Sequence, residues 1–223
     1  MRPLDVRRLG RVPYQQAWDL QKDLVEQRFV GDIPDTLLLL EHDPVITLGS
    51  AGKRDSLLVD DTTLAARGID LVHSDRGGDI TWHGPGQIIG YAILDLRPDR
   101  KDVRRFVGGL EETVIRTCGH YGLHPDRLAG APGVWLHDGP RGDRKIAAIG
   151  ARFSRWISRH GFALNVNPNL AAFGLIVPCG LHGKGVTSLE AELGHPVPIG
   201  EVMDHLATQF AQVFEYDHPP PHG

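Results

Sequence analysis

At 223 residues the chain is long enough to bury one sizeable core and short for two full domains. Hydrophobic residues make up 41% and charged residues 23%, which argues against global disorder, and a net charge of -4 argues against a nucleic-acid binder held by a basic surface. No apolar run approaches the ~20 residues of a membrane helix. The opening MRPLDVRRLG has no apolar h-region, and two cysteines cannot build a disulfide framework. The expectation is a reduced, cytoplasmic protein with no nucleic-acid or membrane partner.

In chain order, Pro13 to about Arg28 reads as a helix, with Tyr14, Ala17, Trp18, Leu24 and Val25 on one face. TLLLLEH and VITLG read as two strands interrupted at Asp43-Pro44. Gln87 to Leu96 is nearly continuous in apolar residues, as in a central strand covered on both sides. Asp102 is a good N-cap for a helix burying Val103, Phe106, Val107, Leu110, Val114, Ile115 and Cys118. GVWLH, KIAAIGARFS and HGFALNV follow as strands, the first two joined into an antiparallel hairpin by DGPRGD. Thr187 and Glu190 form a capping-box pattern for a short helix ended by Gly194. A last helix turns Val202, Leu206, Phe210 and Phe214 inward. The order implies an α+β single domain over residues 1–216, with a central mixed, largely antiparallel sheet flanked by helices. Residues 217–223, DHPPPHG, read as a disordered tail.

Three segments combine special backbone with reactive side chains. In RGGDITWHGPGQ, Arg76 to Gln87, glycines let main chain approach a ligand closely, so the segment suits a pocket-lining loop; it is not a Walker A sequence. In VPCGLHGKG, Cys179 sits between Pro178 and Gly180, in a turn that substrate can reach; Cys118 falls instead on an apolar helix face. In RKIAAIG, Lys145 opens an apolar strand, where its ammonium either lies at a pocket mouth or snorkels into water. Cys179 and His182 make a Cys-x-x-His pattern without a second Cys/His pair, so no metal site is expected from spacing. His160 is a further candidate partner for a thiol, though one of 12 histidines.

Taken together, LGS, RGGDITWHGPGQ, GVW, RKIAAIGAR, HGFALNV, PCG and GVTSL, in this order, resemble the octanoyltransferase family of lipoate biosynthesis. The resemblance implies the fold shared by the biotin and lipoate protein ligases. It implies octanoyl transfer from the phosphopantetheine thiol of acyl carrier protein to a lysine of lipoyl domains of 2-oxoacid dehydrogenase complexes or of the glycine-cleavage H protein, with no cofactor of its own. It assigns Cys179 as acyl-thioester nucleophile and Lys145 as its activating partner. It borders the acyl chain with Arg76, Gly77, Gly78, Asp79, Ile80, Thr81, Trp82, His83, Ala148, Ile149, Gly150, Gly161, Phe162 and Ala163. The alternatives are an ATP-dependent lipoate or biotin ligase, which needs no nucleophilic cysteine, an octanoyl shuttle between lipoyl-domain proteins, and a non-catalytic carrier-binding module. Arg97 to Arg105, RPDRKDVRR, holds five basic residues and is either a carrier-protein docking patch or a solvated helix start.

Overall fold

The computed structural model describes residues 2–97, 100–137, 141–177 and 184–217. The strands are β1 (Leu4–Arg11), β2 (Asp35–Glu41), β3 (Val45–Leu48), β4 (Asp70–His73), β5 (Ile80–His83), β6 (Gln87–Ile93), β7 (Asp126–Leu128), β8 (Ala131–Leu136), β9 (Arg144–Ser154), β10 (Ile157–Asn165) and β11 (Gly185–Val186). The helices are α1 (Tyr14–Val30), α2 (Asp61–Ala66), α3 (Val103–His120), α4 (Leu189–Leu193) and α5 (Ile199–Val213).

The main sheet runs β1-β2-β6-β10-β9-β8-β7, with β11 beside β9. The β1–β2 and β9–β11 pairs are parallel and the remaining pairs antiparallel. The central strands β2 and β6 are buried on both sides. Leu37, Leu39 and Ile88 pack with Phe106, Leu110 and Cys118 of α3 and Leu206 and Phe210 of α5. Their alternates Leu38, Leu40 and Ile89 pack with Ala17, Leu24 and Val25 of α1. No helix among the described residues is long and apolar enough to cross a membrane.

A second sheet, β4-β3-β5, has its own core of Ile46, Leu48, Ile80, Trp82, Leu64 and Leu175. Of its strands, sequence periodicity finds β3, in VITLG, and misses β4 and β5, which have four residues each, β4 being half exposed. It also misses β1, whose three arginines and aspartate suit an edge strand rather than a central one.

Asp102 caps α3 by accepting from the backbone N–H groups of Arg104 and Arg105, as expected. Val103, expected inside, is 43% exposed, because the first turn of α3 reaches the edge of a cavity. The short helix α4 is capped by Ser188 rather than Thr187: Ser188 Oγ accepts from Ala191 N, and the Thr187 hydroxyl donates to Glu192. Gly194 ends it in the left-handed conformation. The proposed tail lies, beyond Asp217, outside the described residues.

Candidate active site

The glycine-rich loop is held by main chain on both flanks. Gly49 N donates to Asp79 O at 3.1 Å, Ser50 N to Arg76 O at 2.9 Å and Ala51 N to Gly78 O at 3.0 Å. A Cβ on Gly49 would stand 2.4 Å from Gly78 O, so only glycine fits in LGS. On the other flank Gly77 N donates to Ala151 O of β9 at 3.0 Å, and a Cβ on Gly150 would lie 2.8 Å from Gly77 O. The buried Arg76 side chain secures the loop from within. Its Nη2 donates to Thr47 O at 2.7 Å and Asp79 O at 2.6 Å, and its Nε to Thr47 Oγ1 at 3.0 Å.

Between this loop and strands β9 and β10 lies a cavity of about 360 Å³, within the usual size of a small-molecule site. Arg76, Gly77, Gly78, Asp79, Ile80, Thr81, His83, Ala148, Ile149, Gly150, Gly161, Phe162 and Ala163 all line it, together with Lys145. Trp82 does not: its ring turns into the core of the small sheet, against Phe173. Apolar lining also comes from Ile89, Val103, Val107 and Phe153, and polar lining from Tyr14, Gln87, Tyr91, His160 and Asn165. Gln87 ends the glycine-rich segment and His160 is the candidate thiol partner read from the sequence; spacing does not reveal Tyr91 and Asn165, which strand pairing sets opposite Gly161 and Gln87.

In the polar part, three buried histidines are each held by hydrogen bonds. His42 Nδ1 donates to Val12 O, so its Nε2 accepts from Tyr91 OH, both at 2.7 Å. His83 Nδ1 donates to Gln87 Oε1 at 2.7 Å, and Gln87 Nε2 donates to Asn165 Oδ1 at 2.8 Å. His160 holds φ +57° and donates from Nε2 to Asp75 Oδ1 at 2.9 Å, while its Nδ1 is buried without a hydrogen-bond partner. Burial pushes His42 down to about 4. Burial, with Arg159 and Arg76 nearby, pushes His160 down to about 3. Both are neutral imidazoles at physiological pH.

Lys145 is half-buried at the start of β9. Its Nζ donates to Pro132 O at 3.1 Å and lies 4.6 Å from the centroid of the Trp135 ring. Register slips between Val134 and Trp135, a bulge that sets Trp135 opposite Lys145. Gly133, at φ +128°, makes room for the lysine stem: a Cβ there would meet Ala147 O at 2.6 Å and Lys145 Cε at 3.2 Å. Burial and the neighbouring Lys184 ammonium lower the Lys145 pKa to about 8, against an opposing pull from Glu111. An amine with that value exchanges protons near neutral pH, as a general base must.

Cys179 and His182 lie outside the described residues; the chain leaves them at Val177 and re-enters at Lys184, 5.3 Å from the Trp135 ring. Cys118 is fully buried on α3, where desolvation raises its thiol to about 12. It is a core residue, as its helix-face position implies. Of the basic stretch 97–105, Arg97 pairs with Asp95 at 2.8 Å and Arg100 with Asp35 at 2.9 Å, leaving Lys101, Arg104 and Arg105 exposed at the start of α3.

Residues 13–211 match the family model of the lipoyl protein ligase A/B catalytic domain. A protein of Chloroflexus aurantiacus named octanoyltransferase is 48% identical over 215 residues, which is 96% of this chain and 95% of the relative. One from Myxococcus xanthus with the same name is 46% identical over 99% of this chain, and the chain spans 63% of that relative's length. Among solved structures, the bipartite lipoate protein ligase of Thermoplasma acidophilum superposes with a TM-score of 0.75 at 19% identity, over 97% of this chain and 86% of that one. The biotin protein ligase of Aquifex aeolicus does so at 0.55 and 12%, over 95% and 70%. These two show the ligase-type fold. With nearly full-length relatives at such identity and a family match across the sheet, the glycine-rich loop and Lys145, the chain belongs to the octanoyltransferases of the lipoyl protein ligase A/B catalytic-domain family.

Proposed function

We propose that this protein moves an octanoyl group from the phosphopantetheine thiol of acyl carrier protein to the ε-amine of a specific lysine, on a lipoyl domain or the glycine-cleavage H protein, through a thioester on Cys179. The observation that carries the reading is Lys145: an amine lowered to about 8, held at an apolar cavity of acyl-chain dimensions. The names of the near relatives support the acyl group, and the T. acidophilum lipoylation system pairs a lipoate protein ligase with its E2 lipoyl domain. Burial of six methylenes at ~0.8 kcal/mol each gives roughly 5 kcal/mol of binding before ordering costs.

In the first step the Cys179 thiolate attacks the donor thioester. A new carbon–sulfur bond forms, the donor's breaks, and the carrier leaves as a thiolate that takes its proton from the Lys145 ammonium, which leaves Lys145 neutral. The Lys145 ammonium supports the attacking thiolate as an ion pair, since a free thiol is only a few per cent ionised at neutral pH. Acylation removes the thiolate's charge, and the ammonium then loses its partner. Neutral Lys145 accepts the proton that the acceptor amine sheds as the carbon–nitrogen bond forms and Cys179 departs. Thioester exchange is nearly level and amide formation is downhill, so no ATP is consumed.

The test is the intact mass of the protein after mixing with octanoyl-carrier protein and no nucleotide. One octanoyl adduct mapped to Cys179, lost in Cys179→Ser and kept in Cys118→Ser, is expected. An adduct on Cys118, or acceptor modification that needs octanoate and ATP, overturns the reading in favour of adventitious acylation or a ligase.

A further inference from the structure

We propose that His120, Glu201 and His205 form a binding site for a divalent transition metal of the zinc class, on the surface where α3 meets α5. Sequence spacing hides the group, because eighty-odd residues separate its halves; the packing of α3 on α5 brings them together. One ligand atom from each residue falls within 4.8 Å of the other two. The two imidazole centroids are 3.5 Å apart, at 35° between planes. Tetrahedral coordination with bonds near 2.1 Å needs ligand atoms about 3.4 Å apart. His120 and Glu201 are exposed, so their side chains can rotate to close that difference.

Three features go beyond proximity. Glu201 and His205 are four residues apart on α5 and so project from one side of the helix. Tyr121 OH donates to Glu201 Oε1 at 3.0 Å, which orients the carboxylate and leaves its other oxygen to coordinate. The Tyr121 ring also stands edge-on to both histidines, at centroid distances of 5.3 and 5.8 Å, and backs the pair. Asp204, the neighbouring acid, is paired with Arg8. Two nitrogens and one oxygen suit zinc, and nickel or copper compete by affinity order. None of the three ligands lines the octanoyl cavity, so the ion ties two helices together and takes no part in transfer.

The full chain, stripped with a chelator, is titrated with Zn²⁺ against a chromophoric competitor. Histidine modification with diethyl pyrocarbonate is mapped in parallel, because His182, His218, His222 and Cys179 also offer ligands. The His120→Asn/His205→Asn variant should bind one equivalent fewer and lose the zinc-induced rise in melting temperature, with its metal-free melting temperature unchanged. Tyr121→Phe should weaken the site about tenfold, as loss of an outer-shell partner does. In the wild type, zinc should protect His120 and His205 from modification. Equal stoichiometry and affinity in the double variant, or full reactivity of both histidines at saturating zinc, overturns the proposal; the wild-type mapping decides alone if the variant misfolds.

Discussion

The Nζ atoms of Lys145 and Lys184 lie 4.6 and 5.3 Å from the centroid of one indole, that of Trp135. Asp143 Oδ2 holds Lys184 at 3.4 Å, and His137 Nδ1 meets the same carboxylate at 3.0 Å. Lys184 therefore keeps its charge in place beside a second amine, whose protonation it opposes. Glu111, on α3, pulls the other way.

Lys184→Met should raise the Lys145 pKa and move the acidic limb of the pH–rate profile upward. One pKa unit is a tenfold change in the neutral fraction, so turnover at pH 7 should fall by up to about tenfold. Lys184→Arg, which keeps the charge, should restore the wild-type profile. A profile unmoved by Lys184→Met would remove this lysine from the mechanism.

Gly133→Ala should damage activity more than stability. The added Cβ falls 2.6 Å from Ala147 O and 3.2 Å from Lys145 Cε, at a φ that alanine rarely adopts. A strain of about 1–3 kcal/mol should appear in denaturant melts. Displacement of Lys145 should lower kcat beyond what the fraction unfolded explains, which steady-state kinetics at a temperature well below the melt will show.

Acid should unfold the protein earlier than its carboxylates alone require. His42 and His160 have folded pKa values lowered to about 4 and 3, below the ordinary 6.5. As pH falls from 6.5, the unfolded chain takes up protons that the folded one refuses, so this stabilisation is complete above 6.5 and erodes towards pH 4 and below. For His42 alone the loss is roughly 3 kcal/mol. Urea melts from pH 7 to 4 should show the slope, and His42→Gln should flatten it.

Charge reversal at Arg104 and Arg105 should raise KM for octanoyl-carrier protein and reduce its salt dependence, while leaving kinetics with a small octanoyl thioester unchanged. These two residues are exposed on the first turn of α3, whose Val103 lines the cavity, and Arg105 Nη2 lies 4.0 Å from Glu215 Oε1. Reversal at Arg97 should act instead through stability, since that guanidinium is bonded to Asp95. Equal KM in the Arg104/Arg105 variant at low salt would leave α3 a solvated helix start.

The long apolar strands, the Asp102 and Gly194 caps and the glycine-rich loop are legible in the sequence because each rests on local patterning. TLLLLEH reads as a strand and Gln87 to Leu96 as a central one, and β2 and β6 are both buried on both sides. What the sequence hides is non-local. Val103 has the spacing of a core residue, yet lines a cavity that exists only where the glycine-rich loop meets β9 and β10. Trp82 sits inside the most recognisable motif but serves the small sheet's core. Lys184 carries no signal in a glycine-rich run; its meaning comes from Trp135 and Asp143, forty-odd residues earlier.

The seam at Gly77, Gly150 and Ala151 sets how the cavity can be filled. Where a backbone N–H of the loop bonds a carbonyl of β9, the two walls meet as peptide against peptide, with no side chain between them to swing aside. Parting the two walls here would break a main-chain hydrogen bond rather than swing a side chain aside. That stretch of wall is therefore backbone. A single methyl group added at Gly150 would fall 2.8 Å from Gly77 O and force the loop away from β9, reshaping a wall that no side chain builds.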